Sequence, residues 1–412
     1  MKAFEPINIF IDREEEMTRL QQMVSFSVNQ EMKPYKRVMH IVGKSHVGKS
    51  FLMNKFGYEL SQRETFFPLY ITFEEYVSFP QDKFALKILQ DIDEVISTEL
   101  RVKPQLVGTP NIYKYSEWVL RGIEQIERKK IFVLLLDEVS MLTGEQIQLL
   151  EDYLLARVLL LTNVIVVLAG RHLVSGWKEF ALRPYRGDLS NVIDLSGFDF
   201  QYTQKQVHAI NPHINALAAE IHEITGGSPG NNKKILEQLG EPPRFNTLEA
   251  ILACNQEFYD ALHDVNVKMN LSDRAASELL PTLEALCVLQ DFDKEYEMPV
   301  MLSAHPVLIG NWTVRYCADV LNILSKVQVG PGKLIDWDIE KNALVIEEQT
   351  RLNLEKELKI HDMNLWKTLH CTAVRMYAGW AEDFGADSIF VDKAEYHKAQ
   401  LIKAGIDPET CG

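Results

Sequence analysis

One short segment constrains the fold of this chain more than any other. An apolar run, Val38–Val42, is followed at once by residues 43–50 with the sequence GKSHVGKS. This segment fits the pattern G-x-x-x-x-G-K-[ST], in which glycines let the backbone curl until successive N–H groups point at one phosphate oxygen. The pattern works where a buried strand ends and a helix begins, because the positive end of the helix adds to the attraction. A strand, a phosphate-binding loop and a helix are therefore predicted in this order.

The residues of this loop predict contacts with a nucleoside triphosphate. Lys49 is expected to span the β- and γ-phosphates, and the Ser50 hydroxyl to bind Mg²⁺. His46 stands where the pattern requires only a backbone N–H, so we expect no catalytic role for its ring. The predicted nucleotide-binding residues are Gly43, Lys44, Ser45, His46, Val47, Gly48, Lys49, Ser50 and Phe51.

Two further apolar runs end in charged residues. IFVLLL delivers Asp137 and Glu138 to the carboxyl end of a strand, where open α/β sheets bind ligands. We expect Asp137 to hold Mg²⁺ through water and Glu138 to orient and deprotonate the attacking water. NVIVVLA places Arg171 at the end of the next strand, where a cation stabilises or senses a γ-phosphate. Alone, each run also describes a strand that meets a polar loop, and for Arg171 a solvated side chain stays an equal alternative.

Strand-length apolar runs alternate with amphipathic stretches through the first 200 residues, which is the order of a parallel sheet covered by helices. The predicted fold class is α/β, with a parallel-sheet P-loop core followed by a small helical domain and a winged-helix-like, mostly helical C-terminal domain. The predicted strands of the core are residues 38–42, 68–73, 131–136, 163–169 and 192–195. Its predicted helices are residues 13–30, 49–60, 83–100, 116–128 and 146–159. A linker is predicted at residues 241–246 and a hairpin around residues 330–332.

Charge and cysteine content limit the function classes. Forty-three Lys and Arg stand against 58 Asp and Glu, a net charge of −15. Nucleic acids and anionic membranes carry the same sign, so nucleic acid is not expected as a partner, and no membrane either. No apolar run approaches the roughly 18 residues of a membrane span. Acidic residues stand where a signal peptide would need an apolar core, so none is expected. Five scattered cysteines without a CxxC pair argue against structural zinc and a disulfide framework, so a cytoplasmic location is expected.

With these elements in line, the chain resembles the signal-transduction ATPases with numerous domains (STAND), a branch near the AAA+ ATPases. Residues 10–14, FIDRE, look like that family's hydrophobic-hydrophobic-Gly-Arg-Glu motif, except that Asp12 replaces the glycine. Gly227-Ser228-Pro229 resembles its G-x-P motif, whose proline packs on the base. The resemblance covers roughly residues 8–350 and implies an adenine pocket made of Phe10, Ile11, Arg13 and Pro229.

This resemblance implies a slow ATPase that acts as a molecular switch. ATP or ADP and Mg²⁺ are the implied cofactors, with a protein partner or self-association on ATP binding. Arg171 would report the γ-phosphate and so give the two states different nucleotide affinities. The implied domains are residues 1–200 (ATPase core), 201–245 (small helical domain), 246–350 (winged-helix-like domain) and 351–412 (helical segment). Since no effector or sensor motif is evident, we expect a separately encoded partner or a truncated chain.

Three alternatives stay open at this point. A winged helix often binds DNA, although residues 273–348 carry six Lys and Arg against 13 Asp and Glu. An AAA+-like oligomeric remodelling ATPase would need an arginine that reaches a neighbour's nucleotide, and Arg183 and Arg186 lie in a suitable region. A nucleotide-binding scaffold with negligible turnover is the third.

Overall fold

The computed structural model describes residues 4, 10–28, 34–77, 79–102, 111–187, 190–239, 247–308, 310, 312–329, 332–338, 341–385 and 388–411. The chain divides into two compact units. Unit 1 comprises Met1–Ala209 with Ser228–Gly230, and unit 2 comprises Ile210–Gly227 with Asn231–Gly412. The predicted linker at residues 241–246 and part of the predicted turn at residues 330–332 lie outside the described residues. The finer division into four domains stays a prediction.

Unit 1 contains a sheet and its covering helices. The strands are β1 (Val38–Val42), β2 (Phe66–Thr72), β3 (Ile131–Asp137), β4 (Val164–Gly170) and β5 (Val192–Asp194). The helices are α1 (Glu14–Val28), α2 (Lys49–Ser61), α3 (Gln81–Leu100), α4 (Ile112–Glu127), α5 (Gly144–Leu150), α6 (Ala156–Val158) and α7 (Phe200–Ile210). Short 3-10 turns lie at Pro34–Arg37, Phe73–Glu75, Val139–Met141 and Phe180–Leu182.

The sheet is parallel in every pairing, with strand order β2-β3-β4-β1-β5. Strand β4 separates β1, which leads into the loop, from β3, which carries Asp137. The carboxyl ends of these three neighbouring strands therefore meet at one edge of the sheet, next to the start of α2. The predicted α/β fold class is confirmed, and so is the position of β1.

Apolar side chains on both faces explain why these runs form strands. Successive residues of a strand point to opposite faces. On β3, Leu134 and Leu136 pack with α3 and α4, whereas Val133 and Leu135 pack with α1 and α2. The helix pairs thus bury the two faces of one sheet, which is the arrangement that nearly continuous apolar runs predict.

The predicted helix at residues 146–159 is interrupted. Helix α5 ends at Leu150, and a π-helical turn, Glu151–Leu155, connects it to α6. The Glu151 carboxylate is buried and accepts hydrogen bonds from the backbone N–H groups of Lys178 (3.2 Å) and Glu179 (2.5 Å). A single-turn π-bulge of this kind rotates the side chains that follow it, and periodicity alone did not reveal it.

Unit 2 is largely helical. Its helices are α8 (Ala218–Thr225), α9 (Pro229–Leu239), α10 (Thr247–Met269), α11 (Asp273–Leu286), α12 (Glu297–Ala304), α13 (Val314–Leu324), α14 (Glu348–His361), α15 (Met363–Phe384) and α16 (Ile389–Lys403). Its strands are β6 (Gln328–Val329), β7 (Gly332–Lys333), β8 (Ile335–Asp338) and β9 (Ala343–Ile346). The 3-10 turns Pro212–Leu217 and Pro408–Cys411 complete the set of described elements. Helix α9 begins in unit 1 and continues in unit 2.

A winged-helix-like order lies between α11 and β9. Three helices are followed by the antiparallel hairpin β8–β9, and Phe292 after α11 pairs with Leu344 on β9 through two backbone hydrogen bonds (2.8 and 3.0 Å). This isolated bridge attaches the segment after α11 to the hairpin. The prediction of a mostly helical C-terminal region is confirmed, and the winged-helix-like domain at residues 246–350 stays a prediction.

One disulfide departs from the sequence-based expectation. Cys371 on α15 and Cys411 are bonded, whereas Cys287 and Cys317 are free and buried. The bonded cysteines are 40 residues apart in the sequence, and only the return of the chain along α16 brings them together. The argument against a disulfide framework did not anticipate this single bond. Within the described ranges, no helix is both long and apolar enough to cross a membrane.

A buried histidine in β1 makes unit 1 sensitive to acid. His40 is 3% exposed, and within the described part of the chain its Nε2 has no hydrogen-bond partner. Burial lowers its pKa to about 4, and a hydrogen bond with the Leu182 backbone opposes this only in part. The folded protein therefore keeps the ring neutral while the unfolded chain takes up a proton below pH 6.5. The contribution to stability is complete above pH 6.5 and is lost as the pH falls towards 4.

We expect His40→Asn to remove this pH dependence, because Asn keeps a short side-chain donor near the backbone without a titrating ring. Between pH 7.5 and pH 5, the free energy of unfolding of unit 1 should fall by about 2 kcal/mol more in the parent protein than in the variant. Urea unfolding at the two pH values measures the difference. His208→Asn, which replaces an exposed histidine of α7, is the matched control and should behave as the parent. Equal losses in the parent and in His40→Asn would contradict the assignment.

Candidate nucleotide-binding site

The loop at residues 43–50 has a conformation that its glycines permit. Gly48 precedes α2 with φ +99°, a left-handed value that favours glycine. Gly43 lies against β5, and a Cβ on it would come within 2.4 Å of the Leu195 carbonyl oxygen. Its N–H donates to the Gly170 carbonyl (3.3 Å), so the start of the loop is attached to the end of β4. Both glycines of the pattern are thus required by backbone geometry.

Two other segments of unit 1 hold the loop through its carbonyl oxygens. The His46 carbonyl accepts hydrogen bonds from the Gly230 N–H (2.9 Å) and the Ser228 hydroxyl (3.2 Å). The Val47 carbonyl accepts a bond from Arg13 Nη2 (3.3 Å). These bonds fix the curvature of the loop on which a phosphate site depends.

Lys49 lies in the interior of the site. Its side chain is 3% exposed, and its Nζ donates to the carbonyls of Gly43 and Lys44, both at 3.0 Å. Nζ also lies 3.7 Å from Glu138 Oε1. Burial lowers the pKa of Lys49, and the carboxylates of Glu138 and Asp137 oppose this shift. The positive charge of Lys49 therefore lies at the loop, where the phosphates of a bound triphosphate would balance it.

Asp137 and Glu138 follow β3 and are both buried. Asp137 Oδ1 accepts a bond from the Glu138 N–H (2.9 Å), and Oδ2 accepts one from the Tyr70 hydroxyl (2.5 Å). Glu138 has φ +56°, and among the described residues its Oε2 is a buried acceptor without a partner. Burial raises the pKa of Glu138, and Lys49 opposes this shift. A carboxylate with an unused acceptor and a raised pKa suits a general base.

Arg171 joins this group from β4. Its backbone N–H donates to the Ser140 hydroxyl (2.9 Å), and a Cβ on the preceding Gly170 would lie 3.0 Å from Ser140. Its positive charge lowers the pKa of both Lys49 and Glu138, which places it within electrostatic range of both. Its Nε is buried and has no hydrogen-bond partner among the described residues. The structure therefore brings Arg171 to the edge of the sheet that carries Lys49, Asp137 and Glu138.

The residues predicted for the adenine lie on two sides of the loop. Phe10 stacks on Phe51, with ring centroids 6.2 Å apart and planes at 10°, and Ile11 beside it is half-buried. Arg13 is buried between the carbonyls of Val47 and Ser196 (2.5 Å to the latter).

Pro229 packs near the second glycine of the pattern, with its Cγ 3.7 Å from where a Cβ of Gly48 would lie. The Pro229 carbonyl accepts a bond from Gln206 Nε2 of α7 (2.8 Å). Arg13 and Pro229 thus both contact the loop. The role of all four residues towards adenine stays a prediction.

The position at which this chain departs from the family motif is strained. Asp12 has φ +50°, in the left-handed region where glycine carries no steric cost. Burial also raises the pKa of its carboxyl. Asp12 therefore holds this backbone conformation at some energetic cost.

Sequence reasoning missed several contributors to the site. Tyr70 and Thr72 are the two hydroxyl-bearing residues of the otherwise apolar strand FFPLYIT, and those hydroxyls near its carboxyl end were the available signal. Ser140 and Gly230 gave none, and Ser228 was noted only as the middle residue of the G-x-P motif, because the observed contacts of all three are with distant parts of the chain. Arg183 and Arg186 have local partners, the carbonyls of Trp177 and Lys178 for the first and Asp194 (2.8 Å) for the second.

A separate cavity of about 690 Å³ lies along α3. Phe67 of β2 and Tyr76 and Phe79 after it form its apolar part, and Glu94 and Glu99 of α3 contribute carboxylates. This volume would accommodate a nucleotide, but its acidic lining repels a triphosphate. The loop at residues 43–50 is the better candidate.

Comparison with known proteins identifies similar folds. No family model matches the chain, and no curated protein matches its sequence. Aeropyrum pernix Orc1, solved in complex with DNA, is 14% identical with a TM-score of 0.48, over 86% of this chain and 94% of that one. Pyrobaculum aerophilum Cdc6p is 13% identical with a TM-score of 0.42, over 87% and 97%. AMPPCP-bound DnaA from Aquifex aeolicus is 14% identical with a TM-score of 0.35, over 68% and 80%. At these identities the likeness concerns the fold alone.

The expectation that nucleic acid is not a partner is wrong as an exclusion. Aeropyrum pernix Orc1, one of the similar structures named above, was solved with DNA. The net charge of −15 is a sum over the whole chain, whereas a duplex meets only the cations of one surface. The total charge therefore gives no ground for excluding DNA as a partner.

Proposed function

We propose that this chain binds ATP or ADP with Mg²⁺ and hydrolyses ATP slowly, as a nucleotide-dependent switch of the AAA+ or STAND type. One observation carries the proposal: the ends of β1, β3 and β4 bring Lys49, the pair Asp137–Glu138 and Arg171 together at one edge of the sheet. Phosphoryl transfer requires positioning and charge stabilisation more than covalent chemistry. This set contains cations for the phosphates, an acid for the metal and a candidate base.

The residues present fit a magnesium–nucleotide complex. Gly43 and Gly48 keep side chains out of the loop, and Lys49 would bind the β- and γ-phosphates. Mg²⁺, bound through the nucleotide, would neutralise developing charge. Ser50 would supply its hydroxyl to the metal, and Asp137 would hold the metal's water. Phe10 and Phe51 are candidates to flank the adenine.

Hydrolysis is assigned to Glu138 and Arg171. The unpartnered Oε2 of Glu138 would accept a proton from the attacking water, while Oε1 stays near the Lys49 ammonium. Arg171 would donate to oxygens of the γ-phosphate, where charge builds up as the bond breaks. Turnover is expected to be low, because the Lys49–Glu138 pair must separate or adjust before Glu138 accepts the proton.

The switch is proposed from the course of the chain at Ser228–Gly230. This segment belongs to unit 1, where it is bonded to the His46 carbonyl of the loop, and α9 continues from it into unit 2. A nucleotide that shifts the loop would therefore act directly on the first turn of α9. The nucleotide can shift the equilibrium between two states of the protein only by the difference between its binding free energies for them.

Duplex DNA is the second candidate, as the partner of the winged-helix-like region. The helix-and-hairpin order there is of a type that binds duplexes. Arg315 on α13, Lys326 after it and Lys333 on β7 are exposed. Three cations on neighbouring elements would supply the local positive charge that the total lacks.

We expect Lys49→Ala to lose ATP binding, because the loop loses the ammonium that bridges the phosphates. Isothermal calorimetry with Mg²⁺-ATP measures the affinity. Lys129→Ala, which removes an exposed lysine after α4, is the control and should bind as the parent does. If Lys49→Ala bound ATP as tightly as the parent does, the nucleotide site would lie elsewhere in the protein.

We expect Glu138→Gln to retain ATP binding and lose hydrolysis by about 10²- to 10⁴-fold, the range for loss of a positioned base. The isosteric amide fills the same space but cannot take the proton. Phosphate release under single-turnover conditions measures the rate. Hydrolysis at the parental rate would rule out Glu138 as the base. It would not contradict the proposal that the site binds ATP.

We expect the parent protein to bind duplex DNA with an affinity that falls steeply with salt. Replacing Arg315, Lys326 and Lys333 by Ala should lower the slope of log K against log [salt] by about 3. Fluorescence anisotropy over a range of KCl concentrations gives the slope. The matched control replaces Lys114, Arg128 and Lys129, exposed cations of unit 1. Equal slopes in both triple variants would remove DNA as a partner of this region.

A further inference from the structure

A tyrosine to which the proposed mechanism gives no role lies between the two residues assigned to magnesium. Tyr70 is on β2, the edge strand that pairs in parallel with β3. In that register Tyr70 lies opposite Leu135 and Thr72 opposite Asp137. The Tyr70 side chain therefore starts two residues before the end of its strand, beside the carboxyl end of β3, and is 7% exposed.

The Tyr70 hydroxyl contacts both of the proposed metal-binding residues. It donates a hydrogen bond to Asp137 Oδ2 at 2.5 Å, the short distance typical of a bond to a charged acceptor. The Ser50 hydroxyl lies close enough to the same phenol to lower its pKa. One rigid side chain thus connects the serine that ends the phosphate-binding loop with the aspartate that ends β3.

These bonds leave the Asp137 carboxylate little freedom. Oδ2 is held by Tyr70, and Oδ1 accepts the Glu138 N–H at 2.9 Å. Rotation of the carboxylate would break both bonds inside a site where Asp137 is 1% exposed. Mg²⁺ tolerates little departure from octahedral geometry, and partners that orient a metal-binding group change metal affinity by about 10- to 100-fold.

We propose that Tyr70 is a positioning residue that orients the Asp137 carboxylate and the Ser50 hydroxyl for nucleotide-bound magnesium. The proposal rests on the proposed function of this site. Tyr70 touches neither the phosphate-binding amides of the loop nor Lys49 in the described contacts, so its effect is confined to the metal. Binding of nucleotide without metal should not depend on it.

The test uses Tyr70→Phe, which keeps the ring and loses only the hydroxyl. Calorimetry compares ADP binding in EDTA with ADP binding over a Mg²⁺ titration, and Mn²⁺ electron paramagnetic resonance measures metal binding to the ADP complex directly. We expect the metal affinity of the complex to fall by about 10- to 100-fold. ADP affinity in EDTA should stay within about twofold of the parent, and ATP hydrolysis should recover at high Mg²⁺ concentration.

Tyr115→Phe is the matched control. The Tyr115 hydroxyl donates to a buried aspartate, Asp93, at 2.9 Å in the same unit but on α4 and α3. The Tyr115→Phe variant loses the same kind of bond, but not one to a proposed metal-binding residue. The metal affinity of its ADP complex should therefore equal that of the parent. Unchanged or tighter metal binding by Tyr70→Phe would overturn the role of Tyr70 while leaving the proposed function intact. Failure of the folded parent to bind ADP or ATP would overturn the proposed function together with it.

Discussion

The side-by-side pairing of β3, β4 and β1 is the constraint on which the rest of the site depends. Because all three run parallel, whatever follows them meets at one edge. The register of β4 with β1 places Gly170 opposite Val42, the last residue before the loop. That pairing continues into the bond from the Gly43 N–H to the Gly170 carbonyl. An antiparallel β4 would carry Arg171 to the opposite edge and leave the loop without its neighbour.

The loop also depends on contacts that come from far along the chain. Gly230 can bring its N–H to the His46 carbonyl only because it lacks a Cβ, which would lie 3.0 Å from His46 atoms. Arg13 reaches the next carbonyl with a buried guanidinium that also stacks over Phe198, 5.2 Å from the ring centre. Residues separated by more than 200 positions thus fix adjacent peptide groups. The conformation of the loop is a property of the folded unit and not of its eight residues.

The sequence was informative where a single physical cause dominates. Strands buried on both faces read as continuous apolar runs, so β1 was predicted at its observed bounds and β3 and β4 within one residue at each end. The grouping of Lys49, Asp137, Glu138 and Arg171 followed from their positions after such runs. The Tyr70–Asp137 bond was not predictable, because it depends on which strands are neighbours and in what register. The Cys371–Cys411 disulfide and the bonds from Arg13 to the Val47 and Ser196 carbonyls were not predictable either, because they depend on the path of the backbone.

The energetics of the buried cluster favour a functional interpretation over a structural one. Lys49, Asp137 and Glu138 are each less than a tenth exposed. Moving an ionised group out of water costs several kcal/mol, which is on the order of the attraction gained in a buried ion pair. Apolar residues at these positions would extend the core, whose neighbours Leu136 and Leu168 are already fully buried. Among the residues that the structure describes, Glu138 also keeps a buried oxygen without a partner, which no stability argument explains. A ligand that carries several negative charges and a divalent cation would compensate for each of these costs at once, which supports the proposal that the cluster binds such a ligand.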